Sequence, residues 1–476
     1  MSKAQLKNTP LSTNIRTEGS FLAKSVSFLR LSFPRLASFA SGLDGLAVNV
    51  DVEKDPYLAA LNVDDDADQI ADSFKTTGAG PNVQSFRATA SINSTAVNLA
   101  NSMIGAGLLS FSLFLRLAGL VTGALIMMGL ALLSRFTLTL LIRCCVLTRR
   151  YDIKGILKKS FPTGIAKIVD FLVGFYGFLF LIAYLLIFGS YLPELLQTWT
   201  GNDTSFYFQA WFLKLIALVF VLIPLCMLED LNALRFASAG ALVAILYTVF
   251  TVFARTLELA SLDNIKIIKI DFELMDAIPL CIFAFSAHLL IGNLYKELRH
   301  RSVPRMVKSI NIALSINFCF YFLIGVCGYL CFGDETPDNV LMGFDSDDFL
   351  IQTAKLAMCF VVLSSYPILH YASNVAFSSL LPEFKNRRVY LAIFLTSLSY
   401  VVTLFVDSLG LILSFTGAAV STFIVYILPG FAFLKFSQRK KNSEKFKSLR
   451  TKSIMVIIFG FFVSIFSITR LIIKNF

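Results

Sequence analysis

Eleven stretches of about 20 apolar residues run through this chain, and they leave it few ways to fold. They cover approximately residues 94–116, 119–142, 168–195, 209–228, 235–257, 275–295, 306–331, 349–371, 389–406, 410–434 and 453–473. Each is long enough for a helix to cross the roughly 30 Å hydrocarbon layer of a bilayer. In that layer the backbone amides and carbonyls must be satisfied within the protein, which spans of this length achieve as α-helices. The chain is 56% hydrophobic and 15% charged, against about 25% charged for a soluble domain. The expected fold class is therefore an all-α polytopic membrane protein with about 11 transmembrane helices.

Charge on the connecting segments orients the spans. Suppose the N-terminal tail lies in the cytosol. The inner loops then hold Arg149, Arg150, Lys154, Lys158 and Lys159; Arg299, Arg301 and Arg305; Lys385, Arg387 and Arg388; and Arg439, Lys440, Lys441, Lys445, Lys447 and Arg450. The outer loop after the seventh span holds Asp334, Glu335, Asp338, Asp345, Asp347 and Asp348 with no basic residue. This asymmetry follows the positive-inside rule and sends the C-terminus to the lumenal or extracellular side. The net charge of +11 is explained by those loops, and no nucleic-acid partner is expected. Asn202-Asp-Thr204 falls in an outer loop and reads as a glycosylation sequon, whereas Asn93-Ser-Thr95 faces the cytosol and should stay bare. The eight cysteines lie in or beside apolar segments, which argues against a disulfide framework. Cys144 and Cys145 read as buried thiols, with palmitoylation the alternative.

Two domains are expected: a largely disordered cytosolic tail over residues 1–90 and a transmembrane domain over 91–476. No secretory signal precedes the first span. Residues 16–36 are basic and amphipathic, suited to an anionic membrane surface, to plain disorder, or to a transit peptide. Residues 51–90 are acidic and then Gly/Thr-rich, a linker composition.

The first span is not built as a simple anchor. Gly105 and Gly107 sit near its middle, just after Asn98, Asn101 and Ser102. Glycine costs a helix about 1 kcal/mol per residue, and unpaired backbone in hydrocarbon costs more. Such a break is tolerated where it faces a ligand or a water-filled cavity; the alternative is a small-residue packing face. Five spans later, Pro279 precedes Phe283-Ala-Phe-Ser-Ala-His288, and Gly292 follows. Interrupted segments at matching places in two halves point to inverted repeats around a central site. Five plus five spans and one extra fit the count.

Four groups of residues carry a resemblance. Asn98-Leu-Ala-Asn-Ser-Met-Ile-Gly-Ala-Gly-Leu-Leu109 with Ala118-Gly119 is similar to the first-helix signature of the amino acid/auxin permease family. That family includes vacuolar and sodium-coupled neutral amino acid transporters. Phe283-Ala-Phe-Ser-Ala-His288 with Tyr295-Lys-Glu-Leu298 resembles its sixth helix, and Gly328-Tyr-Leu-Cys-Phe-Gly333 with Asn339-Val-Leu341 the end of its seventh. Ser365-Tyr-Pro-Ile368, and Phe415-Thr-Gly-Ala418 with Ile427-Leu-Pro429, resemble its eighth and tenth. The likeness covers about residues 90–475. Two places depart from the family pattern: Phe111-Ser-Leu-Phe114 replaces a Pro and Tyr/Phe, and His370-Tyr-Ala-Ser373 stands where an Arg is usual. The resemblance implies a leucine-transporter (LeuT) fold, with a 5+5 inverted repeat plus one helix, and alternating access.

A zwitterionic amino acid needs donors for its carboxylate and acceptors for its ammonium. Amides of Ile104, Gly105, Ala106, Gly107 and Leu108 can donate at the break, helped by the positive end of the following half-helix. Asn98, Asn101 and Ser102 join the substrate set, with Asn101 also a cation ligand. Interhelical hydrogen bonding is the other use of such an Asn. Phe285, Ser286 and His288 are candidates for substrate contact, and His288 for relaying a proton or serving as a structural histidine. Ser364 and Ser365 beside Pro367 offer oxygens for Na⁺ or simply pack. Lys355 is expected to snorkel to the interface. Arg135 and Arg143 are given no role.

No cofactor is expected beyond H⁺ or Na⁺ as coupling ion, with H⁺ favoured. The reading is an amino acid symporter in the vacuolar, lysosomal or plasma membrane. The alternative is a nutrient sensor signalling through its tail to partners the sequence does not name. An enzyme is not expected: there is no metal-ligand cluster, no Gly-x-Ser-x-Gly and no phosphate loop.

Overall fold

The computed structural model describes residues 90–159, 161–201, 205–227, 234–262, 264–380, 388–438 and 444–475. The expectations for the tail, for the sequon at Asn202 and for Lys385, Arg387 and Arg439–Lys441 lie outside them. The described residues are helical almost throughout. Seven helices are long and apolar enough to cross a membrane: Leu120–Thr148, Gly164–Thr200, Gly240–Leu259, Val303–Glu335, Phe349–Leu380, Leu409–Ser437 and Phe446–Lys474. A pair bent by 63°, Ile92–Met103 with Gly107–Ala118, passes the same test when taken together, which gives up to eight such segments among the described residues. Three shorter apolar helices, Ala210–Cys226, Leu274–Ala284 and Val389–Val402, stand in the fourth, sixth and ninth places predicted from the sequence.

Local chemistry starts and stops these helices. The Ser91 hydroxyl accepts from the Ser94 amide and caps the first span. Ser302 caps the seventh, with Pro304 in its first turn, where no amide hydrogen is needed. Ser408 caps the tenth by accepting from the Leu411 amide at 3.1 Å.

The third span (Thr163–Thr200) and the eighth lie side by side because small residues let their backbones approach. A side chain at Gly174 or Gly177 would meet Phe377 or Ser373, and the Ser373 hydroxyl donates to the Gly174 carbonyl at 2.7 Å. Lys355 does not snorkel. It faces the third span, 1% exposed, with its ammonium 2.7 and 2.8 Å from the two carboxylate oxygens of Glu194. A charge held in low dielectric needs a partner, and the third span supplies one closer than the membrane surface. Arg135 likewise bonds a neighbour, donating from Nε to Asn311 of the seventh span at 2.6 Å. Cys144 and Cys145 are buried free thiols, as the sequence suggested.

The two ends of the bundle carry opposite charge, and each is tied across. On the basic face, the residue before the first span pairs with the end of the sixth. The Ala90 amide donates to the Glu297 carbonyl at 3.1 Å, and the Arg299 amide to the Ala90 carbonyl at 2.9 Å. The Tyr151 carbonyl closes on Gly292, leaving no room for a side chain there. On the acidic face the loop after the seventh span reaches three others. Ser110 donates to the Asp338 carbonyl at 2.6 Å, Tyr191 to Asn339 Oδ1 at 2.6 Å, and Ser408 to Asp338 Oδ2 at 2.8 Å.

Breaking the Lys355–Glu194 pair from one side strands a charge. Lys355→Met is expected to cost about 3 kcal/mol, the low end of the range because the Glu194 side chain is 25% exposed. Thermal unfolding in detergent reads this. Lys355→Met with Glu194→Gln together should recover most of the loss.

Candidate functional site

Both predicted breaks form, and they meet. The first span leaves the α-helix after Met103: Ile104 (ψ 120°) and Gly105 (φ −168°, ψ −144°) are extended. A 3₁₀ turn over Ala106–Ser110 then leads into Phe111–Ala118. The sixth span runs as Leu274–Ala284, opens through residues 285–290, and resumes as Ile291–Glu297. Each break sets the carbonyl end of one half-helix beside the amide end of the next. One locus is therefore acceptor-rich and donor-rich at once, the pattern an α-amino acid's ammonium and carboxylate require.

Tyr321 of the seventh span joins the two breaks. Its hydroxyl lies 2.7 Å from the Met103 carbonyl and 3.1 Å from the Ala284 carbonyl, the last α-helical residue before each break. The ring is fully buried. It stacks on Phe111 at 4.3 Å and meets Phe285 edge-on at 5.5 Å. One phenolic proton is thus shared between two of the carbonyls that unwinding frees, in a layer where such groups need partners.

The third span lines the first break. A β-carbon added at Gly105 would stand 3.8 Å from the Tyr184 hydroxyl, and Ser365 of the eighth span faces the same hydroxyl. One turn down the helix, Phe180 packs against Phe283 with ring centroids 4.8 Å apart. One more turn on is Tyr176, whose hydroxyl is approached by Ser286 and Ser421. Phe283 also lies against Gly107, where a β-carbon would come within 3.0 Å of the ring. Hydroxyls and aromatic faces surround the break, and none of these side chains is charged.

The sequence-derived candidates divide on this frame. Gly105, Gly107, Ser286 and Ser365 stand at the meeting of the first, third, sixth and eighth spans. Of the amides from Ile104 to Leu108, two are already engaged: Ile104 donates to Ala100 at 3.1 Å and Leu108 to Gly105 at 3.0 Å. Ala106 lies between the two glycines in the chain. Asn98 and Ser102 are exposed, and Asn101 is half-buried; Ser102 donates back to Leu99 at 2.7 Å. These three share the less packed face of the first half-helix, because Ala96, Leu99, Ala100 and Met103 take the packed face. Phe285 turns to Tyr321. His288 is fully buried against the second span, its Nε2 2.9 Å from the Thr137 hydroxyl, and its Nδ1 has no partner among the described residues. Ser364 donates to its own helix at Val361, 3.0 Å away.

Sequence reasoning missed Tyr176, Tyr184, Phe180, Phe283 and Tyr321. A signal existed: Tyr176, Phe180 and Tyr184 recur every four residues, so they share one helix face. An aromatic stripe of that kind reads equally as a lipid-facing surface. Asn317, one turn from Tyr321, was also missed. It is fully buried, and neither amide atom has a partner among the described residues.

Comparison with known proteins gives the chain a family and relatives. Residues 88–473 match the family described as transmembrane amino acid transporter protein. The chain is 24% identical to the sodium-coupled neutral amino acid transporter 7 of Xenopus laevis, over 77% of this chain and 86% of that one. It is 26% identical to vacuolar amino acid transporter 5 of Schizosaccharomyces pombe, over 73% and 84%. To vacuolar amino acid transporter 2 of Saccharomyces cerevisiae it is again 26% identical, over 79% and 82%. Among solved structures, MhsT in complex with L-phenylalanine is similar at a TM-score of 0.48 and 16% identity, covering 78% of this chain and 98% of that one.

Removing one oxygen tests the junction. Tyr321→Phe keeps the ring stacking and deletes the link between Met103 and Ala284. Losing it should cost about 1.5 kcal/mol and, if the breaks must move in register, slow initial uptake about tenfold. Uptake rates and melting temperatures measured on the same preparation separate the two effects.

Proposed function

This chain belongs to the transmembrane amino acid transporter protein family, and on that premise we propose that it carries neutral amino acids across a membrane by H⁺ symport. The observation that carries the reading is the paired break: two half-helix carbonyl ends held together by Tyr321, opposite a wall of uncharged hydroxyls and rings. The substrate's ammonium would take backbone carbonyls and its carboxylate the amides near Gly105–Gly107. A cationic or anionic substrate side chain would want a counter-charge, and the groups around the break include none. One relative's name, sodium-coupled neutral amino acid transporter 7, points the same way on substrate and the other way on the coupling ion.

H⁺ is favoured over Na⁺ on the side-chain chemistry. A hard cation seeks several oxygen ligands, and beside Pro367 the eighth span offers the hydroxyls of Ser364 and Ser365 and no carboxylate. A proton needs one titratable group, and His288 stands between the sixth and second spans. The acid-face ion pairs do not supply the pH dependence. Lys269, bonded to Glu273, holds that carboxyl below the usual range. Partial burial alone would raise Asp348, but Arg255 outweighs it and leaves that carboxyl low as well. Carboxyls lowered in this way keep their contribution above the ordinary carboxylate pKa and lose it only as pH falls through their lowered values. They stay ionised above about pH 5.

Purified protein in liposomes, given a labelled amino acid mixture, tests the proposal. Uptake of neutral substrates should follow an imposed pH gradient and vanish with a protonophore. Uptake that follows a Na⁺ gradient instead would transfer the coupling to Asn101, Ser364 and Ser365. Under that outcome, Asn101→Ala or Ser365→Ala leaving Na⁺ dependence unchanged would remove the cation site. No uptake under either gradient would defeat the transport reading.

A further inference from the structure

The segment between the fifth and sixth spans is the reverse of a solvated loop. Its large apolar side chains point out: Leu262 is 83% exposed, Ile267 60%, Ile268 67%, Ile270 80% and Phe272 70%. Its two lysines are held by carboxylates, Lys269 turned inward and Lys266 about half exposed. Lys269, 11% exposed, bonds Glu273 at 2.5 Å and the Arg116 carbonyl at 3.3 Å, and Lys266 pairs with Asp334 at 2.9 Å. The backbone is fixed in this pose. Lys266 and Ile267 carbonyls accept from the Leu120 and Val121 amides at 3.0 and 2.9 Å, and the Lys266 amide donates to the Tyr329 hydroxyl at 2.9 Å. In water this arrangement would leave a cluster of apolar side chains hydrated with no compensation.

We propose that this loop, residues 264–272, lies in the interface of the bilayer leaflet on the acidic face, with Ile267, Ile268, Ile270 and Phe272 among the lipid chains. The occupant is lipid because the patch continues surfaces that the membrane already covers. Hydrogen bonds to Leu120 and Val121 set the loop beside the start of the second span, where Val121 and Leu125 are exposed. Leu257 and Leu259, exposed on the last turn of the fifth span, lead into it. The Arg470 guanidinium lies 6.0 Å from the Phe272 ring, next to exposed Ile472 and Ile473 of the eleventh span. Apolar side chains turned out beside paired charges is the pattern of interfacial segments. The loop runs into Leu274–Ala284, so its seat fixes the outer end of a half-helix that ends at the central break.

An environment-sensitive dye (NBD) reads the surroundings directly. It is attached in turn at Ile268→Cys, Ile270→Cys and Phe272→Cys in a Cys319→Ser background. Monodisperse protein goes into phosphatidylcholine vesicles with or without shallow doxyl-labelled lipid. Glu335→Cys, exposed on the same face, is the reference. At all three loop positions doxyl lipid should quench at least twofold more than at Glu335, and aqueous iodide at least twofold less. Iodide quenching equal to the reference, without lipid quenching, would place the loop in water and overturn the proposal. Shielding from iodide without lipid quenching, with dye self-quenching that grows with protein density, would overturn it in favour of a second copy of the chain. Three positions keep the test valid if one variant fails to fold.

Discussion

Unwound backbone inside hydrocarbon must be satisfied by the protein, and here one phenol does much of that work. The Tyr321 hydroxyl serves the Met103 and Ala284 carbonyls together. It therefore stabilises both interruptions and also holds them in fixed relation. The surrounding packing follows from this. Phe111 stacks on one face of the ring, Phe285 meets it edge-on, and Gly325, one turn along the seventh span, gives the Phe111 carbonyl room. Without that junction, two glycine- and proline-weakened helices would have no reason to break at the same depth.

Charge placement obeys the same constraint. Buried ions within the spans are bound to neighbours instead of being turned to the surface. Lys355 meets Glu194, Arg135 meets Asn311, and the Lys214 ammonium donates to the Thr403 carbonyl at 2.8 Å. At the start of the sixth span, Asp276 receives Arg470 at 3.1 Å and Lys474 at 3.7 Å from the eleventh. Each pairing joins two different spans, so electrostatics and topology reinforce one another.

The candidate site was only partly legible. Gly105 and Gly107 announced the first break through composition alone, and Ser286 and Ser365 fell beside it. Asn98 and Ser102 were placed there by proximity in sequence, and on the first half-helix they share one face with half-buried Asn101. His288 was singled out as ionisable at membrane depth, and the fold turns it to Thr137. The tyrosines that face the break were passed over because an aromatic residue in a span carries no mark of which side it faces.

Sequence by itself determined the helical class, the places of the spans, the two interruptions and the charge asymmetry of the loops. Each of these follows from a local quantity: apolar length against bilayer thickness, glycine and proline against helix continuity, basic against acidic loops. Only the tertiary structure decided that Tyr321 joins the breaks, that Tyr184 and Ser365 meet above Gly105, that Lys355 is paired, and that residues 264–272 turn apolar groups outward. Those outcomes depend on the rotation of each helix about its own axis and on contacts between residues up to about two hundred positions apart. Within uniformly apolar spans no periodic pattern encodes that rotation; packing against neighbouring helices sets it.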